Sequence, residues 1–375
     1  MIKSITIRLK PTKEQEILMN RSVGVARFSY NWGLAKWQEV YKEGHKPNGK
    51  KIKKIFNNTI KKQEEYKWLY EVSGQATTQA FSDLQLAFNQ FFQGKAKYPR
   101  FKTKRRSRQS FYVRYDRMNI KDNTVNIEKV GRVKFTTNYH IPILDKYINP
   151  RCSYDGKYWY LSFGYEHNEN QVELNKELSI GIDLGITNLA VISNMDTPIK
   201  NINKSSKVKN LEKKLKRLQR KCSRKYEMNK NGNQFIKTKN IMKLEREIKL
   251  IYRKLSNIRT NHIHQATSSI VKLKPYRIVM EDLNISGMMK NKHLSKAIQN
   301  QNLYEFIRQI KYKCEFNSIE FVKADRFFPS SKMCSSCGNI KKDLKLSDRI
   351  YKCDCGLIID RDKNASINIS NYELA

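Results

Sequence analysis

Apolar and polar residues alternate at the start of the chain. Ile5, Ile7 and Leu9 are separated by Thr6 and Arg8, a period of two that predicts a half-buried strand over 4–10. Pro11 stops it, and Thr12-Lys13-Glu14-Gln15 has the spacing of a capping box, in which the Thr hydroxyl and the Gln side chain satisfy free amides at a helix start. Helical text follows, with Trp32, Trp37 and Tyr41 among its large residues. The Lys-rich stretch 43–54, around Pro47-Asn48-Gly49, predicts a loop. From Ser73 a second helix is expected, because Phe81, Leu84, Phe88 and Phe91 recur at steps of three and four and form a core-facing stripe. Short alternating segments then run from 107 to 168: Phe111, Val113 and Tyr115; Val125 and Ile127; Val133 and Phe135. Asp155-Gly156 joins 151–154 to 157–163 as a hairpin turn would. These segments predict a small antiparallel β unit completed by the strand at 4–10, with the helical block as an insertion.

Past residue 178 the text changes. An apolar strand over 179–182 leads into Asp183, and 189–193 reads as its partner. Val208, Leu211, Leu215, Leu218 and Cys222 step by three and four, as do Ile241, Leu244, Ile248, Ile251, Leu255 and Ile258. Two such stripes separated by Asn231-Gly232 predict an antiparallel helical hairpin. Its outer face carries Lys213, Lys214, Arg217 and Arg220 among other basic residues.

Charge sharpens this picture. The 375 residues hold 74 Lys plus Arg against 35 Asp plus Glu, a net charge of +39, and such a surplus calls for a polyanionic partner. Nucleic acid fits best, because the basic residues are spread along the whole chain. Lys97, Tyr98, Arg100 and Lys102 belong to an aromatic-basic run suited to phosphate contacts and stacking. A hydrophobic fraction of 39% can fill real cores and excludes wholesale disorder; the length suggests two or three domains. There is no apolar run long enough to span a membrane, no phosphate loop of the GxxxxGK[ST] kind, and no apolar block behind Met1. The expectation is a cytoplasmic protein with no membrane partner.

Three carboxylates stand at the edges of apolar text: Asp183 after 179–182, Glu281 after 277–280, and Asp362 at the opening of a short helix. Brought together they would repel one another unless cations joined them. Hard oxygen ligands suit Mg²⁺, and two such ions about 3.5–4 Å apart are an arrangement for phosphodiester hydrolysis. Asn364 is a plausible support for these carboxylates. A second metal is expected from Cys334-Ser335-Ser336-Cys337-Gly338 and Cys353-Asp354-Cys355-Gly356. These form CxxC and CxC pairs able to close one tetrahedral structural Zn²⁺ site. Cys152, Cys222 and Cys314 are isolated and read as small hydrophobes.

The segments GIDLGITN (181–188), MEDLNISGM (280–288) and DRDKNASINI (360–369) together resemble the RuvC-like nuclease of TnpB proteins. These are transposon-encoded RNA-guided DNA endonucleases related to the type V CRISPR effectors. Upstream, LKPTKEQ (9–15), RFSYNW (27–32) and KYPRFK (97–102) are similar to TnpB text as well. The resemblance implies an α/β multidomain fold. Residues 1–10 and 101–170 would form a small β-barrel, wedge-like domain, and 11–100 a helical recognition domain. Residues 171–325 and 357–375 would form a RuvC/RNase H-like nuclease domain carrying the basic hairpin at 204–260, and 326–356 a zinc ribbon that helps load target DNA. It implies Asp183, Glu281 and Asp362 as the catalytic, Mg²⁺-binding triad. Asp360 competes for the third place, and the family's D-x-N pattern favours Asp362. It implies a guide RNA encoded by the transposable element and a double-stranded DNA target as partners, one protein copy per ribonucleoprotein, and a flanking-motif reader among Gln75, Thr78 and Gln79. The rival expectation is an RNA-guided DNA-binding repressor that no longer cuts, against which the three intact acids stand.

Overall fold

In a computed structural model of the chain, which describes residues 2–137, 141, 142, 144, 146–167, 172–345 and 347–373, the alternation at the N-terminus forms strand β1 (Ile2–Lys10) and buries Ile5, Ile7 and Leu9. Thr12 and Gln15 close the expected capping box at the start of helix α1 (Lys13–Lys42). The stretch at 43–54 is a loop only as far as Asn48. That residue's side chain accepts hydrogen bonds from the amides of Lys50 and Lys51 and so starts a second helix, α2 (Gly49–Asn58). Ile52 and Phe56, one turn apart, bury on its inner face. Helix α3 (Gly74–Phe92) starts at Ser73 and buries Phe81, Leu84 and Phe88. Phe88 stacks on Trp37 of α1 at 4.1 Å between ring centroids, and Trp32 meets Phe56 edge-on at 5.0 Å.

The same unit, residues 1–167, holds strands β2 (Gln109–Tyr112), β3 (Asn119–Lys121), β4 (Thr124–Ile127), β5 (Gly131–Thr136), β6 (Ile148–Tyr154) and β7 (Trp159–Glu166). With β1 they form one seven-stranded sheet in the order β2-β6-β7-β1-β5-β4-β3. β1 is the centre of this sheet because its nine residues pair with β7 from Ile2 to Leu9 and with β5 from Arg8 to Lys10. Where the resemblance implies a small β-barrel, the described residues form a seven-stranded sheet with β2 and β3 as edges. Those edge strands are short, with four and three residues.

The second unit, residues 168–375, opens with β8 (Asn175–Leu184), β9 (Asn188–Ile192) and β10 (Ile199–Lys200). Helix α4 (Ser206–Met228), the short hairpin β11 (Lys230–Asn231) and β12 (Gln234–Phe235), and helix α5 (Lys239–Val271) follow. After these come β13 (Pro275–Glu281), α6 (Ile285–Met288), α7 (Ser295–Gln301), α8 (Leu303–Phe316), β14 (Glu320–Ala324), β15 (Ile350–Lys352), β16 (Ile358–Asp360) and α9 (Arg361–Ser370). The main sheet has the order β10-β9-β8-β13-β14. β13 lies parallel to both β8 and β14, whereas β9 is antiparallel to β8.

Alternation divides this sheet between two layers. Ile180, Ile182, Ile278 and Met280 face a core with Ile263 and Ile270 of α5 and Phe306 and Ile310 of α8. Val279, Val322 and Ala324 face Ile369 of α9 on the other side. α4 and α5 pair through Val208, Leu215, Ile251 and Leu255. α5 does not end with that hairpin: it runs on to Val271, and its last turns become the floor of the sheet.

Candidate active site

Asp183 and Glu281 directly follow the paired residues Ile182 and Met280 on the parallel strands β8 and β13. They therefore sit side by side, on the face away from the α5–α8 core. Helix α9 lies on that face at unusually close range, because Gly181 leaves room for it. A Cβ at Gly181 would come within 2.0 Å of the Ser366 carbonyl oxygen and 2.3 Å of the Ser370 amide nitrogen. Ser370's carbonyl accepts from Ser179 Oγ at 2.8 Å and from Arg277 Nη2 at 3.1 Å. At the other end Lys363 Nζ donates to three carbonyls that close β9: Ile192 at 3.2 Å, Ser193 at 2.8 Å and Met195 at 2.8 Å. These contacts set the N-terminus of α9, and with it Asp362, beside Asp183.

The two candidate third acids have different surroundings. Asp360 is the N-cap of α9: its Oδ1 accepts from the amides of Asp362 and Lys363, both at 3.0 Å, and its side chain is exposed. Asp362 is half-buried, bonded to Arg361 at 3.0 Å and 3.9 Å from Arg349. Asp282, next to Glu281, is taken up by Lys323 at 2.8 Å and Arg326 at 2.6 Å. Asp183 retains some accessible area, yet it is densely surrounded. Burial, then the charges of Glu281 and Asp362, push its carboxyl well above the usual carboxylate range, and Arg361 offsets this only in part. A cluster of acids that makes one member reluctant to ionise has the charge and the oxygen donors to hold divalent cations.

The four cysteines of the CxxC and CxC pairs converge in the same unit, with all four Sγ atoms within 4.8 Å of one another. Cys334 and Cys355, and Cys337 and Cys353, are 3.6 Å apart at sulfur. Four sulfurs at about 2.3 Å from a tetrahedral Zn²⁺ would be spaced about 3.8 Å apart, so this set could hold one ion. Disulfide bonding, at about 2.05 Å, does not match. Gly338 and Gly356, at φ +75° and +92°, supply the turns after each pair. Cys152, Cys222 and Cys314 are buried, as ordinary small apolar residues would be.

Direct bonds join the cysteine turn to Glu281 and to α9, through Asn364, which the sequence singled out, and through Ser330 and Asn368, which it did not. Ser330 Oγ donates to Glu281 Oε1 at 2.5 Å. Asn368 Nδ2 donates to the carbonyls of Ser330 at 2.7 Å and Met333 at 2.6 Å. Asn364 Nδ2 donates to Met333 O at 2.7 Å, and its Oδ1 accepts from the Ser335 amide at 3.0 Å. Two asparagines four apart on an otherwise small and apolar helix face were the available signal.

The nucleic-acid candidates separate by environment. Lys213, Lys214, Arg217 and Arg220 are all exposed on α4, whose Glu212 is engaged by Arg259 at 2.9 Å. In the first unit Lys97 and Arg100 are exposed, but Tyr98 packs edge-on against Phe88 and Phe91. Lys102 has its Nζ 3.7 Å from the centre of the Tyr30 ring and its backbone clamped by Asn31; burial lowers its ammonium pKa. Gln75 has its amide bonded to Ser73, Thr78 is half-buried, and Gln79 donates to Asp83 at 3.1 Å. Gln79 and Lys102 line one cavity of about 120 Å³ with Arg27, Asp83, Gln109 and Arg151.

Three family profiles match: a helix-turn-helix domain at 1–46, a probable transposase at 162–292 and a Cas12f1-like TNB domain at 304–369. Within the first of these ranges the described residues form β1 and the uninterrupted helix α1. The chain is 28% identical to a putative RNA-guided DNA endonuclease of Streptomyces pristinaespiralis, over 98% of this chain and 88% of that protein. It is 27% identical to the putative RNA-guided DNA endonuclease InsQ of Escherichia coli K12, over 100% and 92%. It is 28% identical to the CRISPR-associated endodeoxyribonuclease Cas12f1 of Sulfoacidibacillus thermotolerans, over 56% and 50%. Among solved structures, the protein in a Cas12f1–sgRNA–target DNA complex superposes with a TM-score of 0.58, 14% identity and 99% coverage of both chains, a likeness of fold.

Proposed function

We propose that the chain is a TnpB-like RNA-guided DNA endonuclease whose single cutting site is Asp183, Glu281 and Asp362. One observation carries this reading: acids from 183, 281 and 362 arrive on one face of one sheet, with Asp183 feeling the charge of the other two. The sheet order, with three antiparallel strands followed by two parallel to the last of them, supports an RNase H-like nuclease domain. Asp362 is the third acid in this reading because Asp360 is engaged with backbone amides at 3.0 Å. Divalent cations such as Mg²⁺, two in number, would supply Lewis acidity and an activated water there.

The protein's own residues do the rest. Glu281 is held by Ser330 through one of its oxygens, and Arg361 and Arg349 stand beside Asp362 and offer positive charge to a phosphate. The seven-stranded sheet of the first unit with its helices is the wedge-like and recognition part, in which Gln75, Thr78 and Gln79 face the DNA motif beside the target. Lys97 and Arg100, together with Lys213, Lys214, Arg217 and Arg220 on α4, track the backbones of guide RNA and target DNA, while Tyr98 and Lys102 pack against the helices behind them. Base pairing to the guide selects the sequence, which is why the chain invests in positive charge and not in a reader of base edges. The four cysteines hold a structural Zn²⁺ that keeps the 326–356 ribbon folded.

The test is plasmid cleavage by the purified ribonucleoprotein with Mg²⁺. The unmodified protein is expected to cut a plasmid carrying the guide's target. Asp183→Ala is expected to lose at least about 10³-fold in rate with target binding nearly unchanged. Binding without cutting by the unmodified protein would establish the repressor reading instead, and strand-joined products would establish a transposase.

A further inference from the structure

The bonds between the cysteine turn and the acids have a consequence for metal binding. We infer that Ser330, Asn364 and Asn368 are positioning residues that couple the thiolate site to the carboxylate site, so that an ion in one raises affinity in the other. The inference rests on the reading of Asp183, Glu281 and Asp362 as a cation site.

Its physical basis is a short, buried path. Cys334 lies between Met333, whose carbonyl accepts from both asparagines, and Ser335, whose amide donates to Asn364. Asn364, Asn368 and Ser330 are respectively 0%, 3% and 3% exposed, so water does not replace these bonds when they break. Asn364 and Asn368 project from α9, the helix that carries Asp362, and thus bind the turn to that helix. Ser330 has one hydroxyl proton and gives it to Glu281 Oε1, binding the turn to β13. Glu281 is therefore bonded directly to the segment around the first cysteine, and Asp362 is tied to it through the helix that carries it. When the four sulfurs close on an ion, the 330–335 backbone is held, Glu281 keeps its rotamer and Asp362 its distance from Asp183. When they open, that backbone loosens and both carboxylates lose their support. Groups that orient metal ligands in this way are worth about 10–100-fold in metal affinity. Coupling between sites is reciprocal in affinity, so cations at the acids must raise the affinity of the sulfurs for Zn²⁺ by the same factor, and a more tightly held ion is released more slowly.

The experiment uses the full chain with its co-purifying RNA and needs no cleavage. Zn²⁺ release to a chromogenic chelator is followed with and without Mn²⁺, and Mn²⁺ occupancy is measured separately by electron paramagnetic resonance. In the unmodified protein Mn²⁺ is expected to slow Zn²⁺ release about fivefold or more. Ser330→Ala is expected to weaken Mn²⁺ binding about tenfold and to abolish the protection, with Zn²⁺ still bound at one per chain, while Ser330→Thr, which keeps the hydroxyl, restores both. Mn²⁺ binding accompanied by unchanged Zn²⁺ release overturns the coupling, as does a Ser330→Ala protein that behaves like the unmodified one. Absence of Mn²⁺ binding in the unmodified protein overturns the acid-site reading and the coupling with it.

Discussion

Gly181→Ala is a one-methyl change whose effect can be worked from the structure. The new Cβ would lie 2.0 Å from Ser366 O, 2.3 Å from Ser370 N and 3.0 Å from the Ile369 carbonyl carbon. All three are backbone atoms of α9, so no side-chain rotation relieves the overlap. Restoring the 3.4 Å at which ordinary contact begins requires α9 to retreat about 1.4 Å from β8. That helix is held at both ends, by Lys363 on the β9 carbonyls and by Ser179 and Arg277 on Ser370. Overpacking costs about 1–3 kcal/mol where neighbours can yield, and the upper end, ~3 kcal/mol, is expected here. The same retreat carries Asp362 away from Asp183, and a displacement of about 1 Å in reacting geometry can cost about 10²-fold. Single-turnover plasmid linearisation should therefore fall about 100-fold, with target binding within a few-fold and a lowered Tm. Gly185→Ala is the control, because its Cβ would meet nothing nearer than 3.4 Å. Cleavage by Gly181→Ala within about threefold of the unmodified protein, with Tm unchanged, would refute the claim that this close approach sets the site.

Other outcomes follow from the same geometry. Asp360→Ala removes a helix cap and should cost ~1 kcal/mol of stability with cleavage largely retained, whereas Asp362→Asn should abolish cleavage at unchanged Tm; the reverse pattern would make Asp360 the third acid. Cys334→Ser should lose Zn²⁺, and amide hydrogen exchange should then rise across 334–355 while β8 and β13 stay protected; protection unchanged at 334–355 would show that the ribbon folds without metal. Replacing Lys213, Lys214, Arg217 and Arg220 together by Ala should flatten the salt dependence of nucleic-acid affinity by a slope of about 3, given close to 0.7–0.9 per phosphate contact. An unaltered slope would mean that this face of α4 is merely solvated.

Local signals were read well where the physics is local. The capping box at Thr12, the Ser73 cap and the stripe of α3, and the turn at Asp155-Gly156 all involve groups within a few residues of each other. α2 was hidden because Pro47-Asn48-Gly49 is written like a turn, and Asn48 serves as a helix cap as readily as a turn former. Only Ile52 and Phe56 mark its inner face, too short a series to show a period. The small β-barrel implied for the first unit stands among the described residues as a seven-stranded sheet with β2 and β3 at its edges, because strand count can be read from alternation but the pairing of edges cannot. The separation of Tyr98 and Lys102 from Lys97 and Arg100 was also invisible, since it depends on Phe88 and Tyr30, which lie elsewhere in the chain.

The amino-acid order alone determined which residues could be strands, helices and caps, that four cysteines were spaced for one ion, and that three acids stood at the ends of apolar segments. Each of these depends on neighbours in the chain, through pleat, helical pitch or turn geometry. Tertiary structure decided the rest: that α9 rests on Gly181, that Asp360 caps α9 while Asp362 pairs with Arg361, and that Ser330 reaches Glu281. Those contacts join residues as far apart as Ser179 and Ser370. Hydrogen bonds and steric fits over such separations leave no periodic trace in a sequence, because they are selected by the packing of whole layers.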